Sequence, residues 1–222
     1  VFGDQGFARQ LLEARGVALS SANSINWGRL LPQIVYYISA YCDLLNRHVI
    51  AEGDPVNFCV PTGNFGDILA GYLAILMGLP VRKLICASNT NNILTDFLST
   101  GVYDKNRPFF KTLSPSMDIL VSSNLERLLY LVFDGDTEKL SSCMNELSTK
   151  GIYTVSTQVL ARLRESFDAA CCTEEESAQT IAKVWNEHRY LMDPHTSVAW
   201  KCASERPESE IPVVVLSTAS PY

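Results

Sequence analysis

The sequence VPTGNFGDILAG at residues 60–71 constrains the fold more than any other stretch. An apolar run at 56–60 leads into a loop holding Gly63 and Gly66, and helix-forming sequence follows from residue 67. Gly78 and Pro80 then supply helix stop signals, after which residues 81–87 form a second apolar run. Strand, loop, helix and strand within about 30 residues make a βαβ unit, and its two strands run parallel because the helical crossover returns the chain to the same end of the sheet. The fold class that follows is α/β, with an open, mostly parallel sheet flanked by helices.

A glycine-containing loop that opens a helix leaves backbone N–H groups unpaired at the positive end of the helix dipole, and such a place attracts an anion. Gly63, Asn64, Phe65 and Gly66 are the candidates for that role. The loop is not a Walker A motif, because Asp67 and Ile68 stand where a Lys and a Ser or Thr are required, and it is not a GxGxxG fingerprint. Without a lysine, a phosphate here is held by backbone dipoles and Asn64. That suits the phosphate of a cofactor that stays bound and takes no part in chemistry. The competing reading is an ordinary βα turn, in which Gly and Asn serve backbone geometry alone.

Bulk properties exclude several classes. The chain has 222 residues, enough for one large or two small domains, and 47% of them are hydrophobic. A net charge of −6 argues against nucleic acid as a partner, since no basic patch is present to release counterions. No apolar stretch approaches the ~20 residues needed to cross a bilayer, so no membrane association is expected. The seven cysteines (42, 59, 86, 143, 171, 172 and 202) show no metal-ligand spacing, and no metal is expected. They read as reduced thiols in a cytoplasmic protein. The chain begins at Val1 rather than Met and stops at Tyr222, just after the strand-like run 213–216, which reads as a piece of a longer protein.

Residues 1–22 carry weak signals, and residues 23–222 read as one α/β domain with a helical insertion at about 120–190. Helical periodicity over 25–45 places Leu30, Leu31, Ile34, Tyr37, Ile38, Tyr41 and Leu45 on apolar positions, with Pro32 in the first turn or at a kink. Further helices are expected at 92–98, 125–133, 137–147 and 158–167. Thr173 with Glu176 forms a capping box for a helix reaching about residue 188. Asp193 and Pro194 start another as N-cap and first helical residue. Residues 213–216 read as a buried strand.

The loop sequence PTGNFGDILAGYLA, followed by GLPV, resembles the phosphate loop of the threonine synthases, fold-type II (tryptophan-synthase-β-like) enzymes that use pyridoxal 5'-phosphate, PLP. Other blocks resemble the family in the same order: SANSINWGR (21–29), ASNTNNIL (87–94), SPSMD (114–118), NLER (124–127), YLMDPHTSVA (190–199) and LSTASPY (216–222). The resemblance implies that Gly63, Asn64, Phe65 and Gly66 cradle the PLP phosphate, with Asp67 as a cap or loop brace rather than a ligand. It implies that the Thr218 hydroxyl stands near the pyridine nitrogen, where the bland alternative is a strand end. It implies that Ser24, Asn26 and Arg29 face O-phosphohomoserine, the substrate, where the bland alternative is a helix cap and a surface arginine. Asn89, Asn91 and Asn92 fall at the C-terminal edge of the second strand, as site residues or as a simple turn. His195, in the first turn of a Pro-started helix, reads as a packing or capping residue rather than a general base.

The lysine that such enzymes join to PLP lies upstream in an FKD-type motif, and nothing here matches it. Lys111, in FFKT, is followed by Thr and stands at the wrong place in the block order. The resemblance therefore implies a portion of a PLP-dependent lyase of threonine biosynthesis with no catalytic residue of its own. Its partner would be the missing N-terminal half of the same enzyme, and alone it would expose apolar surface and be inactive. Two other readings stand beside it: a threonine-synthase-like binding or signalling module, and another fold-type II lyase.

Overall fold

A computed structural model describes residues 12–17, 23–207 and 210–221. Most of the segment 1–22, including Ser21 and Ala22 of the first block, and Tyr222 of the last lie outside the described residues. From residue 23 onward the chain forms a short helix α1 (Trp27–Leu30), a single 3-10 turn (Leu31–Gln33) and α2 (Ile34–Asn46). The βαβ unit follows as β1 (Val56–Pro61), α3 (Gly66–Leu76) and β2 (Val81–Ser88). Next come α4 (Ile93–Thr100), β3 (Val102–Asp104), α5 (Leu125–Val132), α6 (Thr137–Thr149) and β4 (Ile152–Thr154). The last elements are α7 (Thr157–Ser166), β5 (Phe167–Cys171), α8 (Glu174–His188), α9 (Pro194–Ser204) and β6 (Val213–Val215).

The main sheet has the order β5-β2-β1-β6, and every pairing in it is parallel. Its centre is covered on both faces. Val56, Phe58 and Val60 with Leu84 and Cys86 join the core built with α2, α3 and α5. Cys59, Ile85 and Ala87 join the opposite core, with Val198, Ala199 and Cys202 of α9. This is the period-2 alternation of a strand buried on both sides, and it explains why β1 and β2 read as nearly continuous apolar runs.

Several expectations needed correction. The helix over 25–45 is broken at Pro32 into α1, a turn and α2, because proline cannot donate to the helical ladder. Leu30, Tyr37 and Tyr41 are buried as anticipated, but Leu31 and Ile38 are exposed, as are Val35 and Tyr36. The helix expected to reach Phe167 ends at Ser166. Phe167 begins β5, whose sequence FDAAC has too little β-branched or aromatic content to announce a strand. Residues 120–190 are thus not only helical: β4 pairs with β3 in a small antiparallel ribbon, and β5 returns to the main sheet. The strand at 213–216 is a three-residue edge strand with Val213 exposed, not a buried one, since only β1 flanks it.

The crossover packs tightly where α3 passes α2. A Cβ at Gly71 would lie 2.7 Å from Tyr37 Cε1 and 2.9 Å from Leu84 Cδ2. Tyr37 is fully buried and its ring meets Phe58 edge-on at 4.9 Å, so it has nowhere to retreat. Gly71→Ala is therefore expected to lower unfolding stability by about 1–3 kcal/mol in denaturant titration, the cost of overpacking outweighing the better helix propensity of alanine.

Candidate anion and cofactor site

At the C-terminal end of β1 lies an open cavity of about 430 Å³. One wall is the loop Gly63–Phe65 with the first turn of α3. Ser24 and Arg29 from the first helical segment, Ser116, His195 at the start of α9, and Thr218 beyond β6 also line it. Ligands of open α/β sheets bind at this edge, because strands and helix N-termini both end there.

The loop leaves β1 through Thr62, whose N–H donates to Ala87 O at 2.8 Å. Beyond it, the N–H groups of Gly63, Asn64, Phe65, Gly66, Asp67 and Ile68 find no acceptor among the described residues. The chain bends into α3 at Phe65, which sits in the left-handed region at φ 61° and offers no side-chain cap. The special backbone angle thus falls on a non-glycine residue. Its ring is buried against Phe167 at 5.6 Å, which holds the strained residue in place. Gly63 is needed for another reason: a Cβ there would stand 2.6 Å from Ser116 O. Gly66 meets nothing closer than 3.5 Å and has ordinary space around it.

Asp67 is the one acid in the first turn of α3. It is not the N-cap, a place taken by Phe65; it braces the crossover, as the Tyr37 hydroxyl donates to its main-chain O at 2.9 Å and reaches Oδ1 at 3.2 Å. Burial lifts its carboxyl to about 6, against a smaller opposing effect of the Tyr37 hydrogen bond. The hydroxyl of Tyr37, itself pushed well above its ordinary range by burial and by Asp67, stays a donor.

The structure brings Ser24, Arg29, Gly63, Asn64, Phe65, Gly66 and Thr218 to one cavity, and His195 with them. Asn26 is not among the lining residues; it is the N-cap of α1 and accepts from Gly28 N–H at 2.8 Å. The asparagine-rich turn does not line the cavity either. Asn89 is fully buried and donates to Thr112 Oγ1, Ser114 Oγ and Asp118 Oδ1 at 2.8–2.9 Å. Asn91 bonds Phe110 on both its O and N–H and reaches Asp118 Oδ1. Asn92 accepts from Arg107 at 3.2 Å. Asn89 and Asn91 tie down the loop 110–118, and that loop carries Ser116 to the cavity.

His195 does more than cap its helix. Its Nδ1 lies 3.0 Å from Asp193 Oδ1, and its Nε2 accepts from Ser116 N–H at 3.3 Å. Asp193 also accepts from the backbone of His195 and Thr196 and from the Thr196 hydroxyl, whose oxygen in turn lies within hydrogen-bond distance of the Ser217 hydroxyl at 3.1 Å. Burial pushes the Asp193 carboxyl up, but its hydrogen bonds from Thr196 and His195 prevail and hold it below its ordinary value. The pair therefore straps the Ser116 turn to the strand end beside Thr218.

A central parallel sheet with helices on both faces and an unpaired glycine-loop helix start at the strand ends is the fold of the fold-type II PLP enzymes. The processed form of threonine deaminase isoform 2 from Solanum lycopersicum shares it at 15% identity and a TM-score of 0.54. Over its whole length the chain is a homologue of the threonine synthases and of the threonine synthase-like 1 proteins. It is 46% identical to human threonine synthase-like 1 over 220 residues, 99% of this chain and 30% of that protein. Against threonine synthase of Pseudomonas aeruginosa the identity is 42% over 221 residues, 99% of this chain and 45% of that protein. A PLP-bound threonine synthase from Brucella melitensis matches with a TM-score of 0.86 and 43% identity over 98% of this chain and 46% of that one. The chain thus spans less than half the length of these relatives. No protein-family model matches it.

The carboxyl of Asp67 gives a pH-dependent test. Its folded-state value of about 6 exceeds the ordinary 3.8, so the folded protein binds this proton more tightly than the unfolded chain does. The ionised form is destabilising above pH 6, and that cost disappears as pH falls through 6 toward 4. Asp67→Asn is expected to be more stable than the parent by up to about 3 kcal/mol at pH 8, with the difference vanishing near pH 4. Denaturant titration of both proteins at the two pH values checks this.

Proposed function

We propose that this chain is the cofactor-anchoring part of a PLP-dependent threonine synthase, which converts O-phosphohomoserine to threonine and phosphate. The observation that carries the reading is the row of unpartnered N–H groups from Gly63 to Ile68 at the mouth of a cavity shared with Thr218, Ser24 and Arg29. These residues fit a phosphate. Backbone donors at a helix start hold an anion without a lysine, and the two nearby carboxylates are engaged by other groups, Asp67 by the Tyr37 hydroxyl and Asp193 by His195 and Thr196. PLP, when bound, supplies an electron sink for cleavage next to the amino carbon. Gly63, Asn64, Phe65 and Gly66 would hold its phosphate, and Thr218, on the same cavity, would offer its hydroxyl to the ring nitrogen. Being neutral, that hydroxyl leaves the nitrogen largely unprotonated.

Arg29, with Ser24 beside it, serves the second phosphate, that of the substrate, since a guanidinium grips phosphate through two donors. Asn26 acts indirectly by capping α1. The lysine that carries the cofactor comes from the N-terminal half of the enzyme; among the described residues, no lysine lines the cavity. The exposed Val35 and Tyr36 on α2, and Phe109, Phe110 and Leu113, suit a surface that this half would cover. No helix among the described residues is long and apolar enough to cross a membrane.

A second reading is a threonine-synthase-like binding module that keeps the fold without the reaction. The 46% identity to threonine synthase-like 1 favours it. Formation of threonine and phosphate from O-phosphohomoserine by the full-length protein decides between them. No turnover while PLP is retained supports the binding module.

Replacing Arg29 by Ala in the full-length enzyme is expected to raise KM for O-phosphohomoserine about ten- to hundredfold, as loss of a charged phosphate contact does. Unchanged KM and kcat remove Arg29 from the site. PLP added to the 222-residue chain alone is expected to dialyse away completely. A cofactor absorbance band that persists after dialysis overturns the division of labour between the two halves.

A further inference from the structure

The segment 122–124 lies behind the glycine loop and belongs to none of the roles above. Ser122 Oγ donates to Gly63 O at 2.8 Å. Asn124 donates twice to Asn64 O, from its backbone N–H at 3.0 Å and from Nδ2 at 2.8 Å. Both side chains are buried, and Asn124 is inaccessible to solvent. A peptide unit is planar and, where trans, its C=O and following N–H point in opposite directions. No cis peptide is present among the described residues. Fixing Gly63 O therefore fixes the Asn64 N–H on the far side, and fixing Asn64 O does the same for the Phe65 N–H. Those are two of the N–H groups with no acceptor of their own.

The orientation of Asn124 is itself determined. Arg127 Nη1 donates to Asn124 Oδ1 at 2.7 Å, so the amide must present Nδ2 to the carbonyls. That Nδ2 also reaches Ser24 O at 3.0 Å, and Arg127 Nη2 holds Ile25 O at 2.6 Å while its guanidinium covers the Trp27 ring at 4.7 Å. One buried amide thus joins the anion loop to the segment that carries Ser24 and Arg29.

We infer that Ser122 and Asn124 are positioning residues of the anion cradle: they pin the loop carbonyls from behind and so aim the Asn64 and Phe65 N–H groups at the bound phosphate. The inference rests on the cradle reading given above, and its test separates the two. PLP and pyridoxal share a ring and differ in the phosphate. Their affinities for the full-length protein are measured by fluorescence titration for the parent, Ser122→Ala and Asn124→Ala. In the parent, PLP is expected to bind far more tightly than pyridoxal. Each variant is expected to lose about five- to tenfold in PLP affinity, the size of one misdirected hydrogen bond, with pyridoxal affinity unchanged. A general loosening of the site weakens both ligands together, and that result overturns the positioning role. So does an unaltered preference for PLP in variants that melt with the parent. Should Asn124→Ala fail to fold, Ser122→Ala, which removes a single hydroxyl, carries the test alone. A parent protein with no preference for PLP removes the cradle reading, and the inference falls with it.

Discussion

The geometry of the cavity depends on one constraint, the burial of β1 and β2 on both faces. A strand enclosed in this way cannot slide or rotate, because a shift of one residue exchanges its two sets of side chains between the cores. The parallel register from Asn57 with Lys83 to Pro61 with Ala87 therefore places the end of β1 at a fixed height beside β2. Thr62 continues the ladder by one further bond, to Ala87 O, and the glycine loop starts from that point. The close passage of α3 at Gly71 over Tyr37 and Leu84 sets the axis of the helix whose first turn lines the cavity. Loop position and helix direction are thus both consequences of core packing.

Electrostatics at the site are local rather than global. The chain carries a net charge of −6, which by itself repels anions. Around the cavity, polar support is mostly neutral. Asn89, Asn91 and Asn124 do the bracing, and threonine and serine hydroxyls fill in. Two carboxylates close to the site are each engaged: Asp67 with Tyr37, and Asp193 with His195 and Thr196. A neutral amide can hold a carbonyl in place without adding negative charge beside a bound phosphate. That gives a physical reason for asparagine where aspartate would satisfy the same space.

The βαβ unit was legible because its signals are local and agree with one another. The apolar runs, the glycine loop, and Gly78 with Pro80 all point to the same boundaries, and β1, α3 and β2 fall within a residue or so of them. The capping box at Thr173 and the Asp193–Pro194 start were readable for the same reason. What escaped was structure made by partners distant in sequence. β5 has no strand-like composition and exists because Leu84 to Ser88 offer it an edge. At the site, the gathering of Ser24, Arg29 and Thr218 could be anticipated only from the resemblance, because nothing local connects residue 24 with residue 218. The loop glycines were legible as a motif but not as physics: the positive φ lies at Phe65, and Gly63 answers to Ser116 from another loop.

The same distinction explains why the roles of the second row of residues could not be read from the sequence. Asn89, Asn124 and His195 look alike there, as polar residues next to turns or helix starts. Their roles differ because their partners lie 25, 60 and 79 residues away: Ser114, Asn64 and Ser116. Each connects a segment that lines the cavity to a segment distant from it in sequence. The 110–118 loop is held by the asparagine turn, joined to α9 through His195, and pressed against Gly63 through Ser116. The glycine loop is held from behind by Ser122 and Asn124. An anion site made of backbone N–H groups has no long side chain to adjust its aim, so its precision comes from what fixes the carbonyls on the other side of each peptide. In this fold that task falls on segments more than fifty residues downstream of the motif, and a motif search centred on the glycines does not reach them.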